Sequence, residues 1–196
     1  WSLIPDASTS TSKSKFYLKD KNIFGLGHEF SNSYTKSLKS NQEGYSTSYF
    51  IPTIRNTFIS TRLDYEIDLD RNYAKSIDIQ RPFFSSYTRW AAGINLGQNL
   101  NKILTLDFNQ VESIQSAKFN YQDYWAGHAF RIFKGNTEYS RTTNFVTSAR
   151  FYNKNYVEKP FVNLDSLDIY ASEKLYLISF GITSRKFTQD KYIFNF

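Results

Sequence analysis

The chain has 196 residues, 24 Lys and Arg against 18 Asp and Glu (formal net charge +6), and 18% aromatic residues at a mean hydropathy of -0.52. So many large rings with only 8 Gly and 4 Pro exclude a disordered, collagen-like or linker chain, and zero Cys excludes disulfide-stapled folds and thiol chemistry. No apolar run approaches the roughly 18 to 20 residues of a helical membrane span, and Leu175-Tyr176-Leu177-Ile178 already stops at Ser179.

Pro5 to Lys15 is rich in Ser and Thr and reads as part of an extended lead-in covering residues 1–15, ahead of a single region, 16–196, with no linker or composition break. Asp20-Lys21-Asn22 predicts a tight turn before a strand from Leu26 to Tyr34. Gly25 and Gly27 are expected to alternate on one face of that strand, where missing side chains allow close approach. A strand from Tyr45 to Ile54 follows the turn at 41–44. The clearest pattern comes next: Ile59, Leu63, Tyr65, Ile67 and Leu69 leave one face, and Ser60, Arg62, Asp64, Glu66 and Asp68 the other. About eleven residues are enough to cross a bilayer as a tilted strand.

Beyond the turn at 70–72, Ile77 and Ile79 oppose Asp78 and Gln80. Pro82 carries no ladder donor and marks a strand end, with Phe83 and Phe84 expected as anchors at a membrane interface. Trp90, Ala92, Ile94 and Leu96 then alternate with Ala91, Gly93, Asn95 and Gly97; strands from Tyr124 to Phe133 and from Asn144 to Phe151 flank a turn at Gly135-Asn136. Tyr176, Ile178, Phe180 and Ile182 oppose Ser179, Gly181 and Thr183, and a last strand is expected from Tyr192 to Phe196 after a turn at Gln189-Asp190. The sum is roughly ten strands and no helix, an all-β antiparallel chain.

Two architectures bury such alternation: a soluble sandwich with an apolar inside, and a transmembrane barrel with an apolar outside and a polar lumen. Strand length and the clustering of Tyr, Trp and Phe at strand ends favour the barrel. Ile59, Leu63, Tyr65, Ile67 and Leu69 then face lipid, and Arg62, Asp64, Glu66 and Asp68 face the lumen. The sandwich alternative is a module binding sugar or peptide through aromatic loops.

Two segments carry a family resemblance. Phe16 to Phe30, with Asp20, Asn22, Gly25 and Gly27, resembles the D-x-N, two hydrophobic residues, G-x-G hairpin near the start of barrels in the BamA/TamA superfamily of outer-membrane assembly factors. Gln80 to Gly93, with Arg81, Pro82, Phe83 and Phe84, is similar to the R-P-F-F-S strand end and W-x-x-G strand of the same superfamily, especially its Bacteroidetes members. Weaker similarities lie at Asp123 to Gly127 and Ser184 to Phe194. The resemblance implies an outer-membrane barrel that inserts or translocates other proteins, with outer-membrane lipid and nascent outer-membrane proteins or other membrane subunits as partners. The family's later V-R-G-F loop motif is not found, so the expectation is the first part of a longer barrel, preceded by periplasmic domains and continuing beyond Phe196. A passive pore, a structural barrel and a complete small barrel ending on Tyr192, Phe194 and Phe196 are the competing readings.

Catalytic chemistry finds little to work with. His28 and His128 are the two histidines, and no Walker loop, G-x-S-x-G or H-E-x-x-H occurs. The expectation is no enzyme, no cofactor, no metal and no catalytic residue. Lys and Arg are dispersed among acids rather than gathered into a stripe, so nucleic acid is not an expected partner.

Overall fold

In the computed structural model the described residues are 3–10, 12–55, 57–106, 112–135, 137–160 and 169–184. The expected strand at Tyr192–Phe196, the turn at Gln189-Asp190, Asn136 and most of the Ser184 to Phe194 similarity lie outside them. The chain is all-β: β1 (Leu3–Thr9), β2 (Lys13–Ile23), β3 (His28–Ser37), β4 (Glu43–Ile51), β5 (Ser60–Ile67), β6 (Tyr73–Arg81), β7 (Trp90–Leu106), β8 (Glu112–Arg131), β9 (Asn144–Glu158) and β10 (Glu173–Thr183). One short helix, α1 (Glu138–Thr142), interrupts the β8–β9 connection, where the sequence predicts only a turn.

Each strand pairs antiparallel with its successor in one ten-stranded sheet of order β1 to β10. Short connections between period-two strands leave a meander as the simplest topology. Among the described residues the sheet is open, so what is seen is part of a barrel. The Ser/Thr-rich lead-in contributes β1, whose Leu3 to Thr9 pairs with Asp20 to Ser14.

Because the side-chain period is two, the register sorts the sheet into two continuous faces. One row runs Thr61–Ile79–Ile94–Tyr124–Phe151–Tyr176, and another Leu63–Ile77–Leu96–Gln122–Asn153–Lys174. The opposite face carries Arg62, Asp78, Asn95 and Asp123 in register. It is the crowded, concave one, where Ala91, Ala117, Ala129 and Asp123 are buried, and Lys15 of β2, Ser33 of β3, Ser46 of β4 and Glu66 of β5 line a hollow of about 330 Å³.

Among the described residues the sheet has no ordinary hydrophobic core: the buried apolar side chains are Ala91, Ala117 and Ala129, and Tyr176, Ile178, Phe180 and Ile182 are 69–73% exposed. A sandwich would bury these residues against a second sheet. Among the described residues there is no second sheet.

Candidate functional site

The expected segregation in β5 is present within the strand. Arg62, Asp64 and Glu66 share the concave face, and Leu63, Tyr65 and Ile67 the convex one, with partners Tyr49, Thr47 and Tyr45 on β4. Asp68 and Leu69 fall outside the strand. Asp68 instead closes the β5–β6 turn, its carboxylate accepting from the Asn72 backbone N–H and side-chain amide at 2.8 Å each. Ile59 precedes the strand, its carbonyl accepting from the Ile54 N–H.

The concave wall is polar and knitted by charge. Arg150 of β9 donates from Nε to Asp123 Oδ1 of β8 at 2.8 Å and from Nη2 to Oδ2, a bidentate pair in which the carboxylate is the buried member. The Arg62 guanidinium lies 4.5 Å from the centre of the Phe50 ring. Two glycines admit large rings: a Cβ on Gly93 would overlap the Trp125 indole, and one on Gly97 the Tyr121 ring. Each pair sits directly across the β7–β8 ladder. The equal spacing of Gly93 and Gly97 against Tyr121 and Trp125 is the sequence signal for this packing.

The hairpin motif works differently from the sequence expectation. β2 continues through Asp20-Lys21-Asn22 to Ile23, with a register irregularity there, and the turn is displaced to 24–27. Asp20 Oδ1 accepts from the Asn22 N–H at 2.9 Å, and Asn22 Oδ1 from the Gly27 N–H at 2.6 Å. Gly25 and Gly27 do not alternate on a strand face: they sit in the turn at φ +75° and +71°, with nothing within 4 Å of where a Cβ would stand. Their use is the left-handed backbone, which L side chains resist.

The second motif ends β6 at Arg81 and places Pro82 just beyond the ladder. Its two phenylalanines part company. Phe84 is exposed and stacks on Phe58 of the β4–β5 connection at 3.9 Å between ring centres. Phe83, expected as a second interface anchor, turns onto the concave face against Gly127. The Phe84 N–H bonds back to the Pro82 carbonyl at 2.9 Å, a three-residue turn centred on Phe83 that sends the two rings to different sides.

Both histidines belong to the convex face. His28 Nδ1 lies 2.6 Å from the Tyr49 hydroxyl, and His128 stands between Trp90 and Phe130, with ring centres at 4.1 and 4.2 Å. Among the described residues no group of three or more His, Cys, Asp or Glu is placed to hold a metal ion.

The apolar part of the convex face does not follow the hydrogen-bonded rows. On β5 the outward stretch runs from Thr61 to Ile67 and on β10 from Tyr176 to Ile182. The register aligns Thr61 with Tyr176, so opposite ends of the two stretches meet. The band slips by about six residues over five strand-to-strand steps, close to 20 Å against 24 Å at ~3.3 Å per residue and ~4.8 Å per strand. A level apolar band therefore has its strands tilted by about 40°, within the 35–45° of closed barrels. No family model matches the chain, and neither a curated protein nor a solved structure matches it.

Proposed function

We propose that the chain is part of an outer-membrane β-barrel of the BamA/TamA type, which inserts or translocates other outer-membrane proteins. The slip of the apolar band against the register carries the membrane half of this reading. A soluble sheet has no reason to displace the apolar stretch of β10 from that of β5 by six residues across the register. A strand tilted across a flat hydrocarbon slab must do so. The exposed large apolar face and the ionic concave wall fit lipid outside and water inside.

The insertase half rests on the two motif resemblances, whose turns at 24–27 and 82–89 lie at one end of the sheet. The physical route is strand exchange: an edge strand offers unpaired backbone groups, which are costly in lipid, and an incoming strand satisfies them. Such a machine acts without a catalytic residue or cofactor. Its partners are outer-membrane lipid, nascent outer-membrane proteins and further membrane subunits.

Photo-crosslinkers along β1 and β2 test it in vivo. Capture of nascent barrels supports the insertase reading, and consistent failure to capture any removes it. The polar concave wall favours a passive pore as the second reading. Steady ion conductance, with other outer-membrane proteins unaffected by depletion of this one, would support the pore.

A further inference from the structure

The β6–β7 connection, Pro82 to Arg89, is longer than a hairpin needs, and it does not project away from the sheet. It folds back over the concave face. Phe83 lies over Gly127, its Cε2 and Cζ 3.1 Å from where a Cβ on that glycine would stand. Thr88 is buried, its hydroxyl accepting from the Ser85 N–H at 3.2 Å. The β2–β3 turn at the same end does the opposite, presenting Phe24 and Leu26 at 78% and 62% exposure.

What holds the loop is the first residue of β9. Asn144, only 1% exposed, donates from Nδ2 to the Ser86 carbonyl at 2.8 Å and to the Thr142 carbonyl at 3.2 Å. Its Oδ1 accepts from Arg89 Nη1 at 2.9 Å, and the same Arg89 nitrogen reaches the Ala129 carbonyl at 3.2 Å. The Ala129 N–H returns a bond to the Arg89 carbonyl at 2.8 Å. One amide thus ties the loop to β9 and to the end of α1, using both of its donors and its acceptor, while Arg89 ties it to β8. On the outer side Phe84 is pinned on Phe58, and the Arg141 guanidinium sits 5.4 Å from the Tyr87 ring centre.

We infer that the β6–β7 loop is a strap folded into the barrel interior, with Asn144 as its clasp and Phe83 as its wedge, narrowing this end of the lumen. The inference rests on the barrel reading but not on the insertase activity. Under the strap a pocket of about 140 Å³ reaches Val146 and Thr183 of the neighbouring strands, so the loop covers a stretch of wall that would otherwise face lumenal water. Opening must break the Ser86 and Arg89 bonds to Asn144 and the Arg89–Ala129 pair together, so the strap resists release as a unit.

Hydrogen exchange and thiol accessibility on the full protein in detergent micelles test the strap, and neither readout requires insertase function. The chain has no Cys, so V146C reports one site. In the unaltered protein the amides of Ser85, Tyr87 and Thr88 exchange slowly, and V146C reacts slowly with a bulky thiol reagent. F83A, which lies outside every strand and leaves the ladder intact, and N144A both speed the exchange and open V146C. The inference is overturned if the 82–89 amides of the unaltered protein exchange as fast as those of the 24–27 turn. It is overturned equally if F83A leaves V146C labelling unchanged.

Discussion

An arginine walked along the convex side of β9 separates a lipid-facing sheet from a water-facing one. The centre of the β5 stretch, level with Asp64, maps by register through Ser76, Gly97 and Tyr121 to Lys154. Four steps of slip at about 1.2 residues each move mid-height to Ala149, which is exposed between Ala126 and Ile178. Ala149→Arg is then a midplane charge in hydrocarbon and should cost about 2 to 4 kcal/mol, a roughly 30- to 900-fold shift in the folding equilibrium. Asn155, on the same face six residues along, lies about 15 Å higher at a 40° tilt, beyond the half-height of a 25 Å band, so Asn155→Arg should cost near zero. Ser148→Arg on the concave face should be mild as well. Reversible urea unfolding from lipid vesicles gives the three values. In a soluble sheet all three stay within about 0.5 kcal/mol, as exposed substitutions do, and that result, or equal costs at 149 and 155, would refute the reasoning.

The concave wall and the turns yield further expectations in the same assay. Arg150→Ala leaves the buried Asp123 carboxylate without its bidentate partner and should cost about 1 to 3 kcal/mol, with Arg150→Lys recovering only part. Gly97→Ala should cost about 1 to 3 kcal/mol by overlap with Tyr121, and the double variant with Tyr121→Ala should cost less than the sum of the singles. Gly25→Ala and Gly27→Ala meet open space but a left-handed backbone, so each should lose about 1 to 2 kcal/mol, with Asn tolerated better than Ala.

The parts legible in the sequence are those fixed by near neighbours in the chain. Alternation in 60–67, 77–80, 90–97 and 176–183 assigns faces correctly because a strand's pleat leaves no other choice. The first glycine motif is legible as a turn signal but misplaced by a few residues. Asp20 and Asn22 favour bends through their side chains, yet here those side chains cap a turn that begins after Ile23. The strand in the lead-in is hidden because Leu3 to Thr9 has neither strong alternation nor β-branched density; its place comes from pairing with β2. Asn144 is equally silent, since a clasp is made by three segments far apart in sequence.

Height in a membrane is the property that single-strand reading cannot reach. Period two says which way a side chain points and nothing about how far along the tilted strand the hydrocarbon begins. That quantity exists only between strands, as the difference between where two apolar stretches sit and where their backbones pair. Here Gln122, Asn153 and Lys174 share a hydrogen-bonded row with Leu63, Ile77 and Leu96. Viewed along the row, polar residues follow apolar ones as though the face had lost its pattern. Viewed at 40° to the strands, the row climbs steadily through the apolar band: Ile77 lies near mid-height, Asn153 about 10 Å above it, and Lys174 at about 12.5 Å, the edge of a band ~25 Å tall. The drift from apolar to polar along one row is thus what a tilted barrel wall produces at its far end, and it is largest far from β5, which is why the arginine walk is placed on β9, four steps of slip away.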